Sequence, residues 1–310
     1  MTPLQPRSFA DVAAPQFAMC SYSTPHNSIY DDVEQSAAVG AAAVGLWEGK
    51  FVDGEDEKLL EFMATHNIAT STAVPERHSI LGIPFDLPGT PKDPEARTEL
   101  ICRSIERLAK FNPAVIAVAP GTTGDASAPA GPIEELVPNL RTIAEVAEAN
   151  DVIIGFELLA ERRGCPVHTL PAMAEMLDEV GSPHLGIMFD VFHSWPEPDL
   201  INRIAKYAPY INSVQVCDAR IDERSGFDRE LPGRGRATAG PIIEALIAAG
   251  YRSYWEMEVF SDDGSYGSDF PDSYWKLPHI DFIRETKQEF ERVYAAALTN
   301  LRADGRLSDS

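Results

Sequence analysis

Four oxygen-bearing side chains stand at the ends of short apolar segments in the second half of the chain. They are Glu157, Asp190, Gln215 and Glu258, separated by 33, 25 and 43 residues. Each apolar segment is typical of a buried β-strand, where an uncompensated charge is costly. Three carboxylates and one amide oxygen in series therefore indicate a shared positive partner such as a metal ion. For any single residue the alternative is a structural role, either capping the next helix or pairing with an arginine.

Each interval holds one strand, one helix and two loops, and this alternation runs along the whole chain. The predicted strands are 16–20, 42–47, 68–74, 114–119, 153–157, 185–190, 211–215 and 254–258. The predicted helices are 28–39, with Ser28 as its N-cap, 54–66, 94–110, 132–149, 170–180, 198–208, 238–249 and 280–301. Eight such units without a GxGxxG loop after the first strand predict an α/β fold, a (β/α)8 TIM barrel. Its C-terminal strand ends share one face, so the four side chains are expected to surround one cation there.

We expect a single domain over residues 1–310, with the barrel at about 17–301 and short flexible termini. Three long loops, 75–93, 218–236 and 260–278, follow strand ends and are predicted to lie on the metal face.

Composition narrows the function classes. The formal charge of −22 disfavours nucleic acid and anionic membrane surfaces as partners. The four cysteines show no CxxC pairing and are expected to be free thiols. No signal-peptide pattern and no apolar run of membrane-spanning length is visible, so the cytoplasm is the expected location.

Five motifs carry a resemblance to a known superfamily. They are Gly155-Phe156-Glu157, Phe189-Asp190-Val191-Phe192-His193, 228–235 (DRELPGRG), Glu258-Val259-Phe260 and Tyr274-Trp275-Lys276-Leu277. From about Phe17 to the last helix the chain resembles the sugar-phosphate isomerase/epimerase superfamily with the xylose isomerase-like barrel, and within it the 2-keto-myo-inositol isomerase type. The resemblance implies metal ligands at Glu157, Asp190 and Glu258. The fourth falls on Gln215, where the isomerase type has histidine and hydroxypyruvate isomerases have glutamine.

An all-oxygen ligand set favours Mn²⁺, with Mg²⁺ or Co²⁺ as alternatives, over Zn²⁺. The resemblance implies a keto-sugar or keto-cyclitol substrate that loses a proton next to its carbonyl and passes through an enediolate to an isomer or epimer. It also implies that Glu157 and Glu258 transfer the proton and that His193 contacts the substrate at the catalytic centre.

Further polar residues near strand ends have two interpretations each. Arg229 is a candidate clamp for a substrate oxygen, or a solvated loop charge. His26 and Glu48 are candidate substrate-binding residues at the barrel mouth, or polar side chains that only face solvent. Glu256 shares the strand face of Glu258, which makes it a candidate inward-pointing carboxylate, and no single role is assigned to it. Five histidines show no such arrangement: His66, His78, His168, His184 and His279.

Alternative functions share the same barrel. In one, the enediolate expels a β-substituent, which makes the chain a lyase. The catalytic α subunits of C-glycoside deglycosidases resemble such barrels, act on 3-oxo-glycosides and work with a small companion subunit. Such a companion, or a homo-oligomer, is the partner expected besides the small-molecule substrate. The third hypothesis is a barrel that binds sugars without catalysing a reaction. Apurinic endonuclease barrels are disfavoured because they need a basic groove.

Overall fold

The strands close into the predicted barrel. The computed structural model describes residues 2–123, 125, 127 and 131–307. Its strands are β1 (Phe17–Cys20), β2 (Ala43–Trp47), β3 (Ala69–Val74), β4 (Val115–Val118), β5 (Ile154–Glu157), β6 (Leu185–Asp190), β7 (Ile211–Val216), β8 (Asp218–Ala219), β9 (Arg229–Glu230) and β10 (Trp255–Met257). Strands β1 to β7 pair in parallel in chain order, and β10 closes the barrel between β7 and β1. The fold class predicted from the sequence is therefore confirmed.

The helices alternate with the barrel strands. They are α1 (Ile29–Ala38), α2 (Asp56–Thr65), α3 (Pro94–Leu108), α4 (Leu136–Ala149), α5 (Leu170–Val180), α6 (Val191–Ser194), α7 (Leu200–Tyr207), α8 (Ala239–Ala248) and α9 (His279–Ala303). Ser28 caps α1 as predicted: its hydroxyl accepts from the Asp31 amide, and the Asp31 carboxylate accepts from the Ser28 amide. Helix α4 starts four residues later than predicted because Ile133–Glu135 forms a 3-10 turn first. Helix α6 was not predicted, since four residues carry no periodic signal.

Apolar side chains pack on both sides of the strands. The larger cluster lies between the strands and the helices and includes Ile116, Phe189, Ile143 and Phe282. Inside the barrel, alanines near the strand starts pack against Tyr254. None of the described helices has both the length and the apolar composition needed to cross a membrane. All four cysteines fall within the described residues and are unpaired, as expected.

Two of the long loops are ordered by contacts at the C-terminal ends of the strands. The loop after β7 contains the antiparallel hairpin β8–β9, which the sequence did not predict, because two-residue strands leave no alternation to detect. In the loop after β10, the buried Asp262 carboxylate accepts hydrogen bonds from the amides of Gly264, Tyr266 and Ser268. At the chain end, the predicted flexible tail falls partly on residues 308–310, which lie outside the described residues.

Candidate active site

The four predicted ligands lie at the same end of the barrel. Glu157 is the last residue of β5, Asp190 is the last residue of β6, and Gln215 is the penultimate residue of β7. Glu258 directly follows β10, one residue beyond the strand as the structure bounds it. Because all these strands run in parallel, their side chains approach one another at the C-terminal face.

Asp190 links the site to the helix that follows it. Its Oδ1 accepts a hydrogen bond from the Phe192 amide at 2.8 Å, and this caps the short helix α6. That turn brings the His193 Nε2 to 3.6 Å from the Asp190 Oδ2. One ligand atom each of Glu157, Asp190 and His193 lie within 4.8 Å of one another, which makes this trio a geometrically plausible metal group as well.

Arg229 bridges two of the carboxylates. Its Nη1 donates to the Asp190 Oδ2 at 3.0 Å and to the Glu258 Oε2 at 2.9 Å. The guanidinium lies between the rings of Phe192 and Phe260, 4.4 and 4.8 Å from their centroids. The backbone of Arg229, in strand β9, is fixed to the loop after β10, because its amide donates to the Phe260 carbonyl at 2.7 Å. Arg229 is therefore buried and paired, and the reading as a solvated loop charge is wrong.

Gln215 is oriented by carboxyl groups. Its Nε2 donates to the Glu256 Oε1 at 3.1 Å and to the Glu258 Oε1 at 3.3 Å. Two acceptors on this side place the amide nitrogen there, so the Oε1 is turned the other way, where it is buried without a hydrogen-bond partner. Glu256 points into the barrel as expected, and the Ser71 hydroxyl donates to its Oε2 at 2.5 Å. Gly45 makes room for it, since a Cβ there would lie 2.5 Å from that oxygen.

The three carboxyl groups of the site have raised pKa values, although a buried arginine lies among them. Burial, together with repulsion from Glu258 and Asp190, holds the pKa of Glu157 well above its usual value. Burial also raises the pKa of Asp190, and it raises the pKa of Glu258 to about 7, although Arg229 opposes both shifts. One guanidinium thus does not offset three crowded carboxyl groups. The orphaned Gln215 oxygen and these carboxylates are hard donors that fit a divalent cation.

His193 has the opposite shift. Burial, with repulsion from Arg229, holds the pKa of its imidazole well below the usual value, so the ring is neutral at pH 7. Its Nδ1 is buried without a hydrogen-bond partner. A neutral imidazole in this position can donate through one nitrogen and accept through the other.

A cavity opens above these groups. The lining residues include Glu157, His193, Arg229 and Glu258, together with Tyr22, His78, Phe85, Arg163, Phe227 and Phe260. The second set was not predicted. Burial lowers the pKa of His78 to about 4, and its ring meets Tyr22 edge-on. Arg163 could have been predicted from its position, because it follows β5, the strand that ends in the candidate ligand Glu157.

Two predicted substrate-binding residues lie outside that lining. The Glu48 carboxylate accepts from the Glu76 amide at 3.0 Å and lies 3.4 Å from Arg107. His26 is 2.7 Å from the Asp263 carboxylate and stacks on His279. These contacts are structural, and the substrate-binding roles of Glu48 and His26 stay predictions without support from the cavity.

The family model described as the xylose isomerase-like TIM barrel matches residues 33–286, most of the chain. The chain belongs to this family. It is 30% identical over 135 residues to the D-psicose 3-epimerase of Enterocloster bolteae, a match that covers 43% of this chain and 42% of that protein. It is 26% identical over 243 residues to the 3-dehydroshikimate dehydratase of Pseudomonas putida, covering 75% of this chain and 36% of that protein. The chain thus spans less than half the length of each of these relatives, both of which are named as enzymes.

Solved structures show the same fold. One described as an IOLI protein with a binding zinc atom superposes with a TM-score of 0.74 at 17% identity, covering 91% of this chain and 99% of that one. Zinc binding is printed for that structure alone, and the metal of this chain is a matter for proposal.

Proposed function

We propose that the chain is a divalent-metal-dependent enzyme that removes a proton next to the carbonyl of a keto-sugar or keto-cyclitol and isomerises or epimerises the substrate through an enediolate. One observation carries the proposal. Three carboxyl groups with raised pKa values and one orphaned amide oxygen stand at one end of the barrel, and two of the carboxyl groups, those of Glu157 and Glu258, line a cavity with aromatic walls. Perturbed carboxyl groups in a cleft are typical of a catalytic site.

Glu157, Asp190, Gln215 and Glu258 would hold the ion, and their all-oxygen chemistry favours Mn²⁺, with Mg²⁺ or Co²⁺ as alternatives. When bound, such an ion supplies positive charge that polarises the substrate carbonyl and stabilises the negative charge left by proton loss.

The protein side chains supply the remaining parts. Glu157 and Glu258 come from strands on different sides of the barrel, which suits a pair of bases that remove the proton and return it. The neutral His193 faces the cavity and is suited to hydrogen bonding with a substrate hydroxyl. Arg229, fixed by Phe192 and Phe260, orients the Asp190 and Glu258 carboxylates and presents its remaining donors to a substrate oxygen.

Metal content tests the ligand set. We expect the purified wild-type protein to contain a stoichiometric divalent metal, and we expect Glu157→Ala and Asp190→Ala to lose most of it. Glu148→Ala, an exposed site on α4, is the matched control and should retain the metal. Full occupancy in both site variants would contradict the proposed ligands.

Elimination is the second candidate function. The match to the dehydratase covers 75% of this chain, against 43% for the epimerase. Both reactions begin with loss of the α-proton. In elimination the electron pair left behind forms a carbon–carbon double bond, the bond from the β-carbon to oxygen breaks, and the oxygen leaves with a proton from an acid in the site.

The products distinguish the outcomes. An isomer or epimer keeps the mass of the substrate, whereas dehydration lowers it by one water and forms a conjugated enone that absorbs in the ultraviolet. Release of an aglycone from a 3-oxo-glycoside, together with a small protein that co-purifies, would favour the deglycosidase type. A barrel that only binds sugars would show ligand binding without either product.

A further inference from the structure

Arg163 places a positive charge in the cavity. It lines the cavity together with Glu157, His193 and Glu258. Within the described residues its guanidinium forms no ion pair and no hydrogen bond, whereas Arg229 binds two carboxylates and Arg162 lies 3.7 Å from Glu223. Arg163 is half-buried and lines the cavity, so a ligand there that supplies an acceptor can form a charge-assisted hydrogen bond with its guanidinium.

The local structure directs this side chain into the cavity. Arg163 ends the 3-10 turn Glu161–Arg163 that follows β5, and its carbonyl accepts a hydrogen bond from the Thr122 hydroxyl. Its guanidinium lies over the Phe227 ring, 5.4 Å from the centroid. A Cβ on Gly226 would fall 1.8 Å from the Arg163 Nη1. Gly226 does not have a positive φ, so its backbone conformation does not require glycine. The glycine matters because the guanidinium occupies the space that a side chain at residue 226 would fill.

Two neighbouring arginines act on the charge of Arg163. Burial, followed by repulsion from Arg229 and Arg162, lowers its pKa to about 10. The side chain therefore remains charged at neutral pH. The chain has 48 acidic residues against 26 basic ones, yet no carboxylate among the described residues pairs with this cation.

The ligand carboxylates have other cationic partners. Arg229 binds Asp190 and Glu258, and the proposed divalent ion would bind both of them together with Glu157. Among the described residues Arg163 has no such partner, so the ligand that it binds is expected to be an anion. A single carboxylate matches it in charge and in the paired geometry that a guanidinium offers, whereas a phosphate dianion would bring a second charge without a partner.

The aromatic walls of the cavity favour a ring-shaped ligand. Phe85, Phe227 and Phe260 line the same cavity as Arg163, and Phe227 stacks on Tyr266 with ring centroids 4.5 Å apart. Flat aromatic faces pack well against the C–H faces of a ring. Building on the proposed function, we propose that Arg163 binds a carboxylate of the substrate, and that the substrate class is a cyclic hydroxy-ketone bearing one carboxylate.

Binding of a matched pair of probes tests this assignment without turnover. Quinate, a hydroxylated cyclohexane carboxylate, and its methyl ester differ in one charge. Isothermal titration calorimetry on the Mn²⁺-loaded wild type should show at least tenfold tighter binding of quinate. In Arg163→Gln, we expect quinate affinity to fall by about 10- to 100-fold, the usual effect of losing a charge-assisted hydrogen bond, with ester affinity unchanged.

Two further variants complete the design. Gly226→Ala should reduce quinate affinity in the same direction, because the new methyl group displaces the guanidinium, and that displacement moves only the end of a flexible side chain. Arg103→Gln removes an exposed charge from α3 and should bind both probes like the wild type. Thermal unfolding of each variant checks that the fold is retained.

Equal affinity of the wild type for quinate and its ester would overturn the carboxylate assignment, as would unchanged selectivity in Arg163→Gln or tighter binding of inorganic phosphate than of quinate. Failure of the proposed function has a different signature. A protein that binds no divalent metal, or that exchanges no α-proton of any keto compound, contradicts the function, whereas the comparison of quinate with its ester depends on neither result and can be repeated on metal-free protein.

Discussion

Replacing Glu256 tests how the candidate metal site orients Gln215. The Gln215 Nε2 donates to the Glu256 Oε1 at 3.1 Å, which turns the amide oxygen away from Glu256 and leaves it without a protein partner. We expect Glu256→Leu to free the amide to rotate. Leaving a buried donor unsatisfied costs about 1–3 kcal/mol, which corresponds to about 5- to 150-fold in affinity. Groups that orient metal ligands typically contribute about 10- to 100-fold, so we expect a loss of Mn²⁺ affinity in that range.

Glu256→Gln is the matched control, because it keeps the size of the side chain and an oxygen that accepts from Gln215. We expect its Mn²⁺ affinity to stay within about threefold of the wild type. Competition against a fluorescent Mn²⁺ chelator measures all three proteins, and circular dichroism confirms that they are folded. The reasoning is refuted if Glu256→Leu binds Mn²⁺ like the wild type, or if Glu256→Gln loses as much affinity as Glu256→Leu.

Three further predictions follow from the same contacts. Gln215→His should shift the metal preference toward Zn²⁺ or Co²⁺ in competitive loading, because imidazole is a softer ligand than an amide oxygen; an unchanged order would place Gln215 outside the ligand set. Burial raises the pKa of Glu258 from 4.5 to about 7 in the folded, metal-free protein. Between pH 4.5 and pH 7 its carboxyl is therefore protonated in the folded state and ionised in the unfolded chain. The stability of the protein should therefore fall as pH rises through this window, and added Mn²⁺ should raise the Tm more at pH 8 than at pH 5.5; an equal rise would contradict this. Gly45→Ala should lower the free energy of unfolding in urea by about 1–3 kcal/mol through overpacking against Glu256, whereas an unchanged value would mean that Glu256 moves aside freely.

The barrel and the candidate ligands were predictable from the sequence because both depend on local patterns. Apolar runs followed by helical periodicity define strand–helix units, and a parallel barrel places all C-terminal strand ends on one face. A polar residue such as Asp190 at the end of an apolar run is therefore visible without any knowledge of tertiary contacts. The inward direction of Glu256 followed from strand alternation in the same way.

The cavity walls were less predictable because they depend on how loops fold over the barrel. Arg229 is buried only because the β8–β9 hairpin carries it across the strand ends, and a two-residue strand leaves no periodic trace. His78 showed no arrangement in the sequence, yet the loop after β3 places it beside Tyr22. Arg163 depends on the missing side chain of Gly226, 63 residues further along the chain.

The most direct test of the central claim is solvent deuterium exchange at the carbon next to the substrate carbonyl. A panel of keto-sugars and keto-cyclitols, neutral and carboxylated, is incubated in D₂O with Mn²⁺-loaded protein and followed by proton NMR. We predict metal-dependent loss of the α-proton signal for at least one compound. We also predict that Glu157→Gln or Glu258→Gln, which keep an oxygen ligand, retain metal while exchange slows by about 10²–10⁴-fold. Exchange that proceeds equally without metal or in both variants, or no exchange with any compound in the panel, would contradict the proposal.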